Sequence, residues 1–312
     1  MPDPARRKIS LIGAGNIGGT MAHLVVEKEL GDVVLFDVVE GIPQGKALDL
    51  MEMRPVGNHD VRVTGTNDWP DCKNTDLFIV TAGIARKPGM SRDDLLATNT
   101  RIMNDVATHI REVAPAAFII VISNPLDAMV TLCKQVTGFP KARVMGMAGA
   151  LDTARFRHFV AEEMSASVEN VVAVVLGGHG DDMVPLPRYC SVAGIPLQKL
   201  LTPERIEAIC SRTRMAGGEI VKHLKTGSAF YSPAACAVHM AESILRDRKW
   251  IVPCAVLLEG EYGVDGLFVG VPVTLGAGGV EKIHVLELNP EEREAFDRSV
   301  LHVRQLVASL KN

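Results

Sequence analysis

A short apolar run, Lys8 to Ile12, leads straight into Gly13-Ala14-Gly15-Asn16-Ile17-Gly18 and then into a helical pattern. A strand that must turn into a helix within so few residues has few ways of doing it. The first glycine permits the tight turn and the second lets the backbone approach a bound pyrophosphate. The third lets the helix pack closely on the sheet, with its free N–H groups facing the anion. Glycine loops between strand and helix are common, so the motif alone decides little. Its context adds to it: the next strand-like run ends in Asp37, nineteen residues beyond Gly18. An acid there accepts hydrogen bonds from the adenosine ribose hydroxyls and repels a 2′-phosphate. The nearest basic residue downstream is Lys46. NAD is therefore expected over NADP, the alternative for Asp37 being a solvated strand end.

The first half of the chain continues the alternation. Lys8–Ile12, Val33–Asp37, Val61–Thr64, Leu77–Thr81, Ala117–Ile122 and Arg143–Gly146 read as six strands, mostly continuous Val/Ile/Leu/Phe runs of the kind covered by helices on both faces. Six strands joined by helical crossovers predict an α/β fold, a doubly wound parallel (Rossmann) sheet. A helix from a Ser91 N-cap follows the fourth strand, with apolar positions through Ile110 at helical spacing. After Gly146 the texture changes. A helix near Asp152, a Val171–Leu176 strand, proline-broken short strands, a long helix from Pro203 to Leu224, strands at Val252–Leu258, Leu267–Pro272 and Lys282–Leu286, and a C-terminal helix from Pro290 predict a mixed α+β substrate domain. The expected division is 1–146 for the dinucleotide-binding domain and 147–312 for the substrate domain.

Composition excludes several classes. Thirty-seven acidic against 33 basic residues, a net charge of −4 and 4% aromatics offer neither attraction to nucleic acid nor stacking platforms for bases. The longest apolar runs, such as 116–122, are too short to span a bilayer, and no secretory or transit pattern opens the chain, so a cytoplasmic protein is expected. The six cysteines show no CxxC pair and no histidine at metal-ligand spacing; reduced thiols and no metal are expected.

Four further segments lie at successive strand ends, the edge where ligands sit in such sheets. Thr81-Ala82-Gly83-Ile84-Ala85-Arg86-Lys87-Pro88-Gly89-Met90-Ser91-Arg92 follows the fourth strand, and Ser123-Asn124-Pro125-Leu126-Asp127 the fifth. Asp152 and Arg155 share a helix face, and Gly177-Gly178-His179-Gly180-Asp181-Asp182 ends a later strand. Each has a plain alternative when taken singly: a solvated basic loop, an Asn-Pro turn, a surface salt bridge, a histidine in a flexible loop. Their joint order narrows the choice.

With GAGNIG, TAGIARKPGMSR, ISNPLD, LDTARFR and GGHGDDMVP in this order, the chain resembles the lactate/malate dehydrogenase family over essentially its whole length, and most of all its malate-specific members that are built like the lactate-specific ones. The resemblance implies reversible hydride transfer between a 2-hydroxyacid and NAD. His179 would be the general acid/base, Asp152 would fix its tautomer, and Arg155 would grip the substrate C1 carboxylate through a two-pronged fork. Arg92 would polarise the reacting carbonyl. Asn124 would hydrogen-bond the substrate oxygen and help place the nicotinamide. Cofactor contacts would come from Gly13, Gly15, Asn16, Ile17, Gly18, Asp37, Thr81, Ala82, Gly83, Asn99, Ile122 and Asn124. Residues from about Gly83 to Leu95 would form a lid, and Lys225–Ala229 would line the substrate pocket.

Arg86 stands where lactate-specific members carry glutamine and malate-specific members carry arginine. Oxaloacetate brings a second carboxylate to pair with it. Pyruvate would leave a desolvated guanidinium without a partner, at a cost of roughly 2–5 kcal/mol. Malate with oxaloacetate is thus the expected substrate couple, against a lactate dehydrogenase or relaxed 2-ketoacid reductase. An NAD-dependent glycosidase would need a metal-binding Cys/His pair, which the strand-five motif lacks, and a non-catalytic NAD sensor would not need His179, Asp152, Arg92 and Arg155 together. The resemblance also implies a homo-oligomer, a tetramer rather than a dimer.

Overall fold

The computed structural model describes residues 6–84 and 92–311; the side chains of 92, 93 and 311 lie outside the described set, as do residues 85–91. In chain order the first half comprises β1 (Lys8–Ile12), α1 (Asn16–Glu27), β2 (Asp32–Phe36), α2 (Ile42–Glu52), α3 (Arg54–Gly57), β3 (Val63–Thr66), β4 (Leu77–Val80), α4 (Arg92–Val113), β5 (Phe118–Val121), α5 (Leu126–Thr137) and β6 (Val144–Gly146). The second half adds α6 (Ala148–Met164), β7 (Val171–Val172), β8 (Val175–Leu176), β9 (Val184–Pro185), β10 (Ser191–Val192), β11 (Ile195–Pro196), α7 (Pro203–Leu224), α8 (Tyr231–Leu245), β12 (Trp250–Glu259), β13 (Asp265–Gly276), β14 (Gly279–Ile283) and α9 (Pro290–Ala308).

The six strands of the first half lie in the order β3-β2-β1-β4-β5-β6. All five pairings among them are parallel. The order reverses between β1 and β4, which opens a crevice at their carboxyl ends and makes this the natural ligand edge. The strand interiors are buried on both faces, as the continuous apolar runs require: Leu77 to Val80 are all inaccessible to solvent. One apolar cluster packs α1 and α8 on one face of the sheet through Met21, Val25, Val238 and Ala241. A second packs α4 and α5 on the other through Met103, Ala107, Met129 and Val130.

The sheet does not stop at β6. Ala255 of β12 pairs antiparallel with Gly146, and β12, β13 and β14 extend the sheet to nine strands. Gly146 is suited to this seam: a Cβ there would meet Leu126 Cδ2 at 2.6 Å and Ala255 Cβ at 3.1 Å. Val171–Leu176, expected as one strand, is two. Val171 and Val172 pair with β10, whereas Val175 and Leu176 pair with β9, so the chain changes partner between them. The helix expected near Asp152 begins at Ala148, which puts Asp152 in its second turn. The Ser91 cap lies outside the described residues. Helix α7 starts and ends where the spacing places it, with Thr202 accepting from the Arg205 N–H at its N-terminus.

Candidate active site

The glycine loop is held from three directions. Gly13 has φ +107° and its N–H donates to the Phe36 carbonyl at 2.8 Å, tying the turn to the end of β2. A Cβ on Gly18 would overlap the Gly13 carbonyl oxygen, so the third glycine lets α1 start directly against the turn. Gly15 faces open space. The Asp37 carboxylate accepts from Ala14 N at 2.7 Å and from Val39 N at 3.0 Å, each oxygen keeping acceptor capacity for a ribose hydroxyl.

Lys46 was not among the expected site residues. Its Nζ donates to the carbonyls of Ala14 and Gly15, at 2.7 and 2.8 Å, and so braces the loop from within the protein. The strand and helix between residues 32 and 52 return it to the loop, a proximity that spacing from Asp37 does not reveal.

A cleft of about 840 Å³ runs along the carboxyl ends of β1, β2, β4 and β5. Gly13, Gly15, Asn16, Ile17, Asp37, Thr81, Ala82, Gly83, Asn99, Ile122 and Asn124 all line it, and Gly227 to Phe230 close one side. Gly18 lies behind the lining, under the loop. The cleft suits a dinucleotide: a glycine turn without side chains, the N-terminus of α1 pointing outward, an acid at the end of β2, and apolar walls from Val38, Ile102 and Trp69. Asn99 plays an indirect part. Although it lines the cleft it is 2% exposed, donating to the carbonyls of Asn124 at 2.7 Å and Ile84 at 3.2 Å and accepting from Ile84 N at 2.8 Å. With its amide spent in this way, Asn99 ties the start of the β4 loop to the β5 loop.

The second half carries the expected reactive groups, His179, Asp152 and Arg155, which are not among the residues lining that cleft. The Asp152 carboxylate, 2% exposed, accepts from His179 Nδ1 at 2.9 Å through one oxygen and from Arg155 Nη1 at 3.3 Å through the other. The i,i+3 pair is thus mostly enclosed, with Asp152 buried and Arg155 partly so, and is not a surface salt bridge. Burial by itself pulls the His179 imidazole down, but the charge and hydrogen bond of Asp152, with the charge of Asp127, outweigh it against repulsion from Arg155, and its pKa is raised above the ordinary value. Arg155 Nε is buried and has no hydrogen-bond partner among the described residues, so it keeps an unused donor. The His179 loop is tied down where it begins: Gly177 exchanges backbone hydrogen bonds of 2.9 Å with Gly270 of β13, and Gly178 N donates to Ser299 Oγ at 2.9 Å. Asn124, exposed to the cleft, follows β5 and forms a cis peptide with Pro125.

Arg86 lies outside the described residues. Arg92 opens α4, but its side chain is not described. Among the described residues no group of three or more His, Cys, Asp or Glu is placed to hold a metal. The cysteines are free thiols, all but Cys236 buried.

Residues 7–146 match the lactate/malate dehydrogenase NAD-binding domain, and residues 149–311 match the lactate/malate dehydrogenase alpha/beta C-terminal domain. The chain belongs to the lactate/malate dehydrogenase family. Among its relatives in that family is malate dehydrogenase 2 of Anaeromyxobacter dehalogenans, 59% identical over 98% of this chain and all of the relative. The malate dehydrogenase of Geotalea uraniireducens is 58% identical over the same shares. Of the solved family structures, the malate dehydrogenase of Salinibacter ruber is 49% identical with a TM-score of 0.93, covering 97% of both chains. The lactate dehydrogenase of Cryptosporidium parvum complexed with lactic acid and NAD is 44% identical with a TM-score of 0.96, covering 99% of both. Both substrate types share this fold so closely that the backbone does not distinguish them.

Proposed function

We propose that this chain is an NAD-dependent malate dehydrogenase, interconverting (S)-malate with NAD and oxaloacetate with NADH. The observation that carries the reading is the hydrogen-bonded His179–Asp152–Arg155 group centred on a buried Asp152, in a chain that also holds a dinucleotide-shaped cleft and whose relatives at 58–59% identity are named malate dehydrogenases.

NAD, held by the glycine loop and Asp37, would supply the two-electron hydride chemistry in either direction. Asp152 engages His179 Nδ1, so Nε2 is the nitrogen left to take the malate hydroxyl proton, or to deliver one to the oxaloacetate carbonyl. The raised pKa favours the imidazolium that reduction needs. Arg155 binds the C1 carboxylate, its buried Nε and planar fork suiting two parallel hydrogen bonds. Asn124 contacts the substrate oxygen. Asp37 binds the adenosine ribose, and Gly15 leaves room for the pyrophosphate, while Gly13 turns the chain and Gly18 lets α1 pack against the turn. Arg92 polarises the carbonyl and Arg86 pairs the second carboxylate.

Arg86 selects the substrate. Initial rates of NADH oxidation with oxaloacetate and with pyruvate test this, in the wild type and in Arg86→Gln. The wild type is expected to prefer oxaloacetate by a factor of about 30 to several thousand in kcat/KM, the equivalent of roughly 2–5 kcal/mol. In Arg86→Gln the preference moves toward pyruvate; an unchanged ratio refutes the assignment.

The same reading divides the chain at 146/147, where the parallel sheet gives way to antiparallel pairing, and places it in the cytoplasm as a homotetramer. Free thiols fit a reducing compartment. Among the described residues no helix is long and apolar enough to cross a membrane. Leu30 and Val25 belong to the core, whereas Met215, Val221 and Leu224 are exposed on α7, apolar surface that subunit contact would cover. Sedimentation velocity giving a mass of four chains supports the tetramer; two chains or one refutes it.

A further inference from the structure

Asp127, in the first turn of α5, is 4% exposed and has no part in the reaction as described above. Its Oδ2 accepts the backbone N–H of His179 at 2.9 Å, across 52 positions of sequence. Its Oδ1 is buried with no hydrogen-bond partner among the described residues. The approach is close because position 178 has no side chain: a Cβ there would lie 3.2 Å from Asp127 Oδ2 and 2.5 Å from Val303 Cγ2. A buried carboxylate with one oxygen unpartnered is costly unless a positive charge lies near. The positive charge available is the imidazolium of His179.

We propose that Asp127 is a positioning residue for the His179 acid/base, anchoring its backbone to the dinucleotide-binding half and setting a second negative charge behind the ring. This rests on the assignment of His179 as the acid/base. Asp152 orients the ring from α6 in the second half, and Asp127 holds the main chain from α5, three positions after Asn124. The proton-transferring group is thereby registered to the half whose cleft would hold the nicotinamide. Charged groups acting here are His179 and Asp152 on Asp127, and Arg155 on His179. Helix α9, packed on α5, brings Ser299 to the Gly178 N–H, and its His302 pairs with Asp182 of the same loop at 2.6 Å.

The experiment compares wild type, Asp127→Asn, Asp127→Ala and His179→Gln in oxaloacetate reduction from pH 5.5 to 9.5, with NADH affinity read by fluorescence. Asparagine keeps an acceptor for the His179 N–H but removes the charge; alanine removes both. The alkaline limb of kcat/KM is expected to move to lower pH in Asp127→Asn, with kcat at pH 8 down about tenfold. In Asp127→Ala kcat falls about a hundredfold as the anchor is lost as well. NADH affinity stays within about twofold in both. A limb left in place, or an equal loss at every pH, overturns the proposal, because a merely structural residue would not move the limb. Should the variants not fold, the wild type decides: the His179 ring resonance is expected to show a second, smaller inflection near pH 6 as Asp127 titrates, and a single inflection overturns the proposal. Full activity in His179→Gln would instead defeat the assignment of His179 itself, whatever the Asp127 variants do.

Discussion

Asp127 carries a stability cost whose sign and size follow from its surroundings. Burial, only partly offset by the His179 N–H and the His179 charge and reinforced by Asp152, pushes its carboxyl up to about 6, against 3.8 when unfolded. An acid whose folded pKa is raised binds its proton more tightly when folded. Its contribution is therefore most favourable below the unfolded value and is lost as pH rises through about 6. At about 1.36 kcal/mol per pH unit, the gap between 3.8 and about 6 comes to about 3 kcal/mol, fully developed at pH 8. At pH 4.5 only about 1 kcal/mol of this has appeared. An asparagine in its place does not titrate, and its buried amide resembles the protonated acid in leaving one group unpartnered. The stability of Asp127→Asn relative to wild type should therefore rise by about 2 kcal/mol between pH 4.5 and pH 8. The His179 linkage acts in the same direction. Its raised pKa stabilises the folded state at low pH and loses that effect as pH rises through the folded value, and removing the Asp127 charge weakens it. Urea titrations of both proteins at the two pH values, at one protein concentration, measure the difference. A difference that stays flat with pH, or changes in the opposite sense, refutes the reasoning. If it holds, the chain carries a carboxylate that destabilises it at working pH beside the histidine it is proposed to serve.

Other perturbations separate the remaining roles. Asp152→Asn removes the charge 2.9 Å from His179 Nδ1 and should lower kcat by about 10³ to 10⁴ with little change in KM for NADH, as steady-state rates will show; a loss below tenfold counts against the orienting role. Gly18→Ala forces a methyl group into the Gly13 carbonyl, so α1 must shift from the turn; stability should drop by about 1–3 kcal/mol in thermal melts and NADH affinity should fall with it, and wild-type affinity would mean the turn is softer than its packing indicates. Arg155→Lys keeps the charge but not the fork, and should raise KM for oxaloacetate far more than KM for NADH; parallel changes in both would place Arg155 outside substrate binding.

Much of this molecule is written in local chemistry. The turn at Gly13 needs a positive φ and Gly18 needs the absence of a Cβ, requirements met within six residues and legible without the fold. Continuous apolar strands imply a sheet covered on both faces, and the right-handed crossover rule leaves few orders for six of them. The i,i+3 spacing put Asp152 and Arg155 together for the same reason. Tertiary structure decided what depends on pairing between distant segments. The antiparallel extension joins the parallel sheet at the Ala255–Gly146 pairing, which no periodicity announces. Lys46 reaches the glycine loop only because α2 folds back over it. Asn99, with the composition of a ligand contact, spends its amide on two loops. Asp127 stood in view beside Asn124, but its meaning lies 52 positions away, at an N–H that a glycine allows it to reach. Backbone sterics act between neighbours and leave their mark in the sequence, whereas burial and charge act through space and take their values from whichever segments the fold brings together.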